Sequence, residues 1–259
     1  MPELPEVETL CMQLGEVIFG RVIRNIEIID PKLQPVSEAE GRYVSAVSRR
    51  GKFLHIFLDN DRTVVMHLRM TGRLLWQDRH QDLPRHARFL IAFEEGRIVC
   101  IDPRRFATLT MEGAELGTAL IHDPLQECPA HLLEEIGRNR KLPVKSFLMD
   151  QRIIAGIGNI YACEILYEAS VAPWRKACSV SLREWERVEA ATKRILEKAV
   201  ACRGTSISDW RDLFGRKGEY QHELKVYGRG GRPCLRCRRV ILRERLGGRG
   251  TCYCPHCQK

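Results

Sequence analysis

The sequence predicts an α+β chain of several domains: a mostly antiparallel β half carrying one N-terminal helix, a helical half, and a small cysteine-rich module at the C-terminus. Three observations lead there. Over the first 112 or so positions, apolar residues alternate in short runs broken by turn residues. From residue 130 onward they recur at helical spacing instead. Five of the eleven cysteines crowd into residues 234–257.

The first element is a helix over residues 6–18, where Val7, Leu10, Cys11, Leu14, Val17 and Ile18 form an apolar stripe and Gly20 follows as a stop. Strands are expected at 21–29, 53–58, 63–68, 88–93 and 97–101, with Asp59–Asp61 and Glu94–Gly96 as turns. Gly113–Gly117 and Pro124 punctuate the change to helices, expected at 130–137, 144–150, 159–168 and 182–201. In the last of these, Leu182, Trp185, Val188, Thr192, Ile195 and Ala199 share a face, with Ser181 as N-cap and Gly204 beyond the end. A glycine-rich stretch, Gly228–Gly231, closes the helical part, so the expected domains are 1–115, 116–228 and 229–259.

Hydrophobic residues make up 44% and charged residues 29% of the 259, a globular composition. No apolar run is long enough for a membrane helix. The acidic, proline-bearing start has no signal-peptide pattern, so the expectation is a cytosolic protein. The net charge of +9 is unevenly spread: residues 229–259 hold nine basic residues and one acid, Glu244, leaving 33 basic and 32 acidic residues in the rest. A basic tail on a neutral body points to a polyanion, nucleic acid first.

Cys234-x-x-Cys237 and Cys254-x-x-Cys257, sixteen residues apart, match a four-cysteine zinc ribbon. Each pair supplies two thiolates to a closed tetrahedron, so one structural Zn²⁺ is expected. The hairpin between the pairs carries Arg243, Arg245 and Arg249 as a rigid basic finger. Cys252 is expected to pack and His256 to lie at the surface. The six scattered cysteines (Cys11, Cys100, Cys128, Cys163, Cys178, Cys202) read as small buried apolar residues.

The N-terminus is a candidate reagent. Once Met1 is removed, Pro2 presents a secondary amine able to attack an aldehyde-like carbon and form an iminium, with Glu3 and Glu6 nearby to move protons.

Five segments come in order: MPELPEVETL at the start, Arg50–Leu54 (RGKFL), Asp102–Phe106 (DPRRF), Gly156–Ala162 (GIGNIYA), and the ending Arg249-x-Thr251-x-Tyr253-Cys254-x-x-Cys257-Gln258. Together they resemble the formamidopyrimidine-DNA glycosylase family, sister to endonuclease VIII, across essentially the whole chain. The resemblance implies an N-terminal β-sandwich, a helix-two-turn-helix domain and a zinc finger, with DNA in the cleft between the first two.

It also implies a bifunctional DNA glycosylase and abasic-site lyase of base excision repair. Pro2 is the implied nucleophile at C1′, Glu3 the proton donor to the departing base, and Glu6 a second carboxylate near the amine. Lys52 is implied in β-elimination and Arg249 in δ-elimination. Because the reacting nucleotide must leave the helix, Met70, Arg104 and Phe106 are the implied void fillers. Phosphate contacts are implied for His67, His86, Lys141, Lys145, Asn159 and Arg249.

The start MPELPEVE resembles the branch acting on oxidised purines (8-oxoguanine, formamidopyrimidines). Residues 214–224 stand in the place of the family's lesion-capping loop. The implied partner is double-stranded DNA with an oxidised or abasic nucleotide, bound by a monomer in the bacterial cytosol with no organic cofactor. The rival readings are an endonuclease VIII-like enzyme for oxidised pyrimidines, a non-catalytic zinc-dependent DNA-binding protein, and a protein-interaction zinc ribbon.

Overall fold

The computed structural model describes residues 2–113, 122–126 and 128–259. The chain divides into two compact units, Met1–Ala119 with Cys202–Glu219, and Leu120–Ala201 with Tyr220–Lys259.

The first unit begins with helix α1 (Leu4–Ile18), two residues longer at its start than expected; Val7, Leu10, Cys11, Leu14 and Ile18 of the predicted stripe are buried together with Leu4, while Val17 is only half-buried. Pro5 is tolerated there because a first-turn amide has no intrahelical partner. Eight antiparallel strands follow. Strands β2 (Val44–Arg50), β3 (Phe53–Leu58), β4 (Arg62–His67) and β8 (Thr108–Gly113) form one sheet in that order. Strands β1 (Asn25–Ile28), β6 (Ala87–Ala92), β7 (Arg97–Ile101) and β5 (Arg73–Gln77) form the other. Leu54, Ile56, Val64 and Met66 from the first sheet share one buried cluster with Phe89, Ile91, Ile98 and Cys100 from the second, so the unit is a β-sandwich with α1 packed on the same core. Truncating such a fully buried leucine as Leu10 to alanine costs about 2–5 kcal/mol.

Three strands escaped the sequence reading. β2 and β8 carry several exposed or half-exposed residues and β5 runs Leu74, Leu75 and Trp76 together, so none shows a clean alternation. The expected strand at 21–29 shrinks to Asn25–Ile28. The sequence assigns residues 202–219 to the helical domain, whereas the structure packs them in the first unit. Trp210 and Leu213 enter the sandwich core, and the Trp76 amide donates to the Leu213 carbonyl at 2.8 Å. The expected boundary at 115/116 lies outside the described residues.

The second unit holds α2 (Ala130–Gly137), α3 (Val144–Leu148), α4 (Asn159–Glu168), α5 (Leu182–Ala201) and the hairpin β9 (Leu242–Leu246)–β10 (Arg249–Tyr253). On α5, Trp185, Val188, Thr192, Ile195 and Ala199 are buried as expected, and the Trp185 ring lies 5.2 Å from that of Phe147. Leu182 is not on that face; it is 42% exposed. Glu184 reaches back to the Ser181 amide at 2.9 Å, which fixes the helix start. Of the scattered cysteines, Cys11, Cys100 and Cys163 are buried, but Cys128 and Cys202 are half-buried and Cys178 is exposed.

The hairpin belongs to a cysteine module that α4 anchors. Cys163 and Tyr167 of α4 cluster with Val226, Cys234, Ile241, Cys252 and Cys254. Glu164, 2% exposed, accepts the amides of Lys225, Val226 and Tyr227 at 2.8–2.9 Å, satisfying three donors of the approaching chain.

Candidate active site

In the first unit, Pro2 and Glu3 lead directly into α1, and both are buried. Glu3 is the N-cap: its side chain and that of Glu6 close a reciprocal capping box, with the Glu3 amide donating to Glu6 Oε2 at 2.8 Å. This places two carboxylates and Pro2 at the positive end of a fifteen-residue helix. Glu6 is held from a second side as well. Its Oε1 accepts the Thr205 amide at 2.7 Å. A side chain at Gly204, where φ is +79°, would put a Cβ 2.6 Å from that oxygen. Glu6 is therefore fixed by main-chain donors and orients Pro2–Glu3 against the 202–219 segment.

Lys52 occupies the tight β2–β3 turn, 8% exposed. His67 ends β4 and pairs with Phe53, ring centroids 4.4 Å apart. Burial, and then the charges of Arg69 and Lys52, push the His67 imidazole down to about 4, so it is neutral at pH 7. Its Nδ1 accepts the Arg69 amide at 2.9 Å, which leaves the proton on Nε2. His67 thus offers a neutral N–H rather than a cation.

Met70, Arg104 and Phe106 are brought together at the surface. The Arg104 guanidinium lies 4.8 Å from the Phe106 ring centroid and donates to Met70 Sδ at 3.5 Å. Met70 is 45% and Phe106 48% exposed, which excludes an ordinary core role for either. Behind them Asp102 is fully buried. Burial pushes its carboxyl up, but hydrogen bonds from Thr71 and from the Ala107, Phe106 and Arg104 amides outweigh that and hold it below the usual carboxylate range. His86 is exposed, with φ +67°, and its carbonyl accepts the Asp102 amide at 3.0 Å.

In the second unit, Lys141 is exposed between α2 and α3. Lys145 is 1% exposed, its ammonium bonded to Asn159 Oδ1 at 2.5 Å and Thr251 Oγ1 at 2.9 Å. Asn159 opens α4 and donates to the Gly250 carbonyl at 3.0 Å. Its loop is shaped by Gln151, which accepts the Gly156 amide and donates to the Ile157 carbonyl. Arg249 begins β10 just after the Gly247–Gly248 turn and is exposed, as are Arg243 and Arg245. Lys145, Asn159 and the Arg249 strand therefore form one linked group. Sequence reasoning missed its other members, Gln151 and Thr251; Thr251 stood in the quoted terminal motif, yet nothing local marked it as a lysine's partner.

The sulfurs of Cys234, Cys237, Cys254 and Cys257 all lie within 4.8 Å of one another. A tetrahedron with metal–sulfur bonds of about 2.3 Å has edges of about 3.8 Å. The Cys234–Cys257 and Cys237–Cys254 separations, 3.9 and 3.5 Å, fit that geometry. Four thiol donors at this spacing suit one structural Zn²⁺ and leave no open position for catalysis. Cys252 lies outside the set, buried in the cluster with Cys163 and Tyr167, and His256 is exposed. Gln258 pins the end of the module, accepting the Cys254 amide at 2.8 Å and donating to the Val171 carbonyl at 2.9 Å.

Comparison with known proteins covers the whole chain. Residues 1–109 match the formamidopyrimidine-DNA glycosylase N-terminal domain, 120–210 the formamidopyrimidine-DNA glycosylase H2TH domain, and 231–259 the zinc finger found in FPG and IleRS. Among similar proteins, the formamidopyrimidine-DNA glycosylase of Carboxydothermus hydrogenoformans is 41% identical and that of Desulfitobacterium hafniense 38%, each covering 100% of both chains. Similar solved structures include a complex of Lactococcus lactis Fpg with DNA containing an abasic site (31% identity, TM-score 0.93, 99% of both chains). Another is wild-type Lactococcus lactis Fpg with DNA containing N7-benzyl-Fapy-dG (31%, TM-score 0.92, 100% of both chains).

Proposed function

The chain belongs to the formamidopyrimidine-DNA glycosylase family of DNA-repair enzymes, and from that premise we propose that it excises oxidised purines from double-stranded DNA and then cleaves the strand by β,δ-elimination. The observation that carries this reading is the placement of Pro2 beside buried Glu3 at the N-terminus of α1, with Glu6 locked by main-chain amides.

After removal of Met1, the Pro2 nitrogen attacks C1′ of the everted nucleotide as the bond to the base breaks and Glu3 supplies a proton to the departing base. The sugar ring opens and an iminium joins Pro2 to C1′. The iminium acidifies the C2′ protons; loss of one expels the 3′ phosphate, assisted by Lys52. A second elimination, assisted by Arg249, expels the 5′ phosphate and leaves a one-nucleoside gap. Met70, Arg104 and Phe106 fill the space left in the stack.

Phosphates are contacted by His67, His86, Lys141, Asn159 and Arg249, whereas Lys145, an implied contact in the sequence, is buried against Asn159 and Thr251. Neutral His67 contributes a hydrogen bond, and buried Lys145 acts by orienting Asn159. The zinc supplies no chemistry; it keeps the Arg249 hairpin rigid. Among the described residues no helix is long and apolar enough to cross a membrane, and the proposed setting is the bacterial cytosol and its nucleoid, as a monomer.

The test is borohydride quenching with duplexes carrying 8-oxoguanine opposite cytosine, 5-hydroxycytosine, or an abasic site. The expected result is an adduct mapped by mass spectrometry to Pro2, with the purine lesion preferred. Cleavage of the pyrimidine lesion alone would overturn the substrate assignment, and no adduct with any duplex would overturn the lyase reading.

A further inference from the structure

One buried carboxylate connects both surface loops that carry the void-filling side chains. Asp102 Oδ1 accepts the Thr71 hydroxyl at 2.5 Å and the Arg104 amide at 3.1 Å, while Oδ2 accepts the Phe106 and Ala107 amides, each at 2.7 Å. Thr71 directly follows Met70. The same side chain therefore fixes the backbone beneath Met70 on one loop and beneath Arg104 and Phe106 on the other. A second layer supports it. Arg88, 3% exposed, stands 3.6 Å from Asp102 and is ion-paired with Asp30. Asp30 in turn takes two bonds from Arg105, holding that residue at φ +59°, a backbone state that non-glycine residues rarely keep unaided. Two acids and two arginines thus tie together the turn that carries Arg104 and Phe106 and, through Thr71, the loop that carries Met70.

A buried cluster of this kind is a weak source of net stability. Its effect is geometric: it fixes where three exposed side chains stand before any partner arrives. Side chains ordered in advance lose less freedom on insertion than free ones, and the contact of Arg104 with both Met70 and Phe106 makes them one body.

We propose that Asp102 is a positioning residue for strand opening, locking Met70, Arg104 and Phe106 into a single wedge that enters the duplex as a unit. This rests on the void-filling reading of those three residues.

The test uses the full-length protein in single-turnover excision, on 8-oxoguanine paired with cytosine and on the same lesion facing a one-nucleotide gap, where there is no pair to open. Asp102→Asn sets an amide donor against backbone donors, and Thr71→Val cuts only the link to Met70 and guards against misfolding of the first variant. Both are checked by thermal denaturation. The expected result is a loss of about tenfold or more on the paired lesion for Asp102→Asn, a smaller loss for Thr71→Val, and a penalty that shrinks to about threefold or less over the gap. Equal losses on both substrates for both variants would mean general damage and overturn the proposal, as would no loss on either. Phe106→Ala separates the two layers of the argument. If it slows the paired lesion and the other variants do not, only the role of Asp102 fails; if it does not, the void-filling reading fails with it.

Discussion

Glu6 and Thr205 lie 199 positions apart in the chain, yet the Glu6 Oε1 oxygen accepts the Thr205 amide at 2.7 Å. With Oε2 on the Glu3 amide, the carboxylate serves as a bracket that fixes the start of α1. Glu6→Gln replaces one oxygen with a donor facing an amide donor, and should lower stability by about 1–3 kcal/mol. Gly204→Ala should cost a similar amount, about 1–3 kcal/mol, since φ is +79° and the new Cβ meets Glu6. Urea denaturation of both variants measures this, and an unchanged midpoint for both would remove the bracket.

Pro2→Gly keeps an amine but makes it primary and more mobile. Borohydride trapping on abasic DNA should fall about a hundredfold, the scale of a positioned catalytic group. A tag that retains Met1 should abolish it. Undiminished trapping in the tagged protein would place the nucleophile elsewhere.

The Cys237→Ser variant should lose zinc and the order of the hairpin, while the sandwich unit keeps its fold. Zinc released by a thiol-modifying reagent should fall from about one per chain to near zero. DNA affinity should drop because Arg249 is no longer presented. Loss of the whole circular-dichroism spectrum would contradict the independence of the finger.

His67 titrates in the fold at about 4, below its ordinary 6.5. Between those values the unfolded chain binds the extra proton, so this residue makes stability fall as pH drops through that window and adds no slope above it. The melting temperature of His67→Gln should therefore depend less on pH between 4 and 6.5 than that of the parent. An NMR titration in which the His67 ring protonates near 6.5 would refute the assignment.

Lys141 and Lys145 should behave differently although both bear a charge. Lys141 is exposed, so Lys141→Ala should reduce the slope of log affinity against log salt by about one. Lys145→Met strands Asn159 and Thr251 and should cost about 1–3 kcal/mol of stability in the second unit. Equal salt slopes for the two variants would refute the distinction.

Features with local signatures were legible in the sequence. The period of α5 marked its face because Trp185, Val188, Thr192 and Ile195 repeat at helical spacing, and the two Cys-x-x-Cys pairs marked the metal site. The resemblance supplied Met70, Arg104 and Phe106, and the structure brings the three side chains into contact. What no local pattern encodes is a long-range polar partner. Nothing in the local sequence marks Asp102, Arg88 and Asp30 as buried partners of one another. Trp210 and Leu213 carried no mark of the sandwich core they complete, since the distance from the core strands hides any shared periodicity. The burial of Lys145 has no local mark for the same reason: its partner Thr251 is 106 positions away.

The return of residues 202–219 to the first unit sets an order of events during synthesis. Domains ordinarily fold in turn as the chain leaves the ribosome. Here the earliest-made unit stays unfinished until Trp210 and Leu213 have emerged, by which time α2 to α5 are already outside the tunnel. A fragment ending at residue 113 would expose the hydrophobic seat of those two side chains. Dissection of this protein therefore has to respect a discontinuous unit, and a recombinant sandwich needs the late segment supplied, either by fusion through a linker or as a peptide in trans.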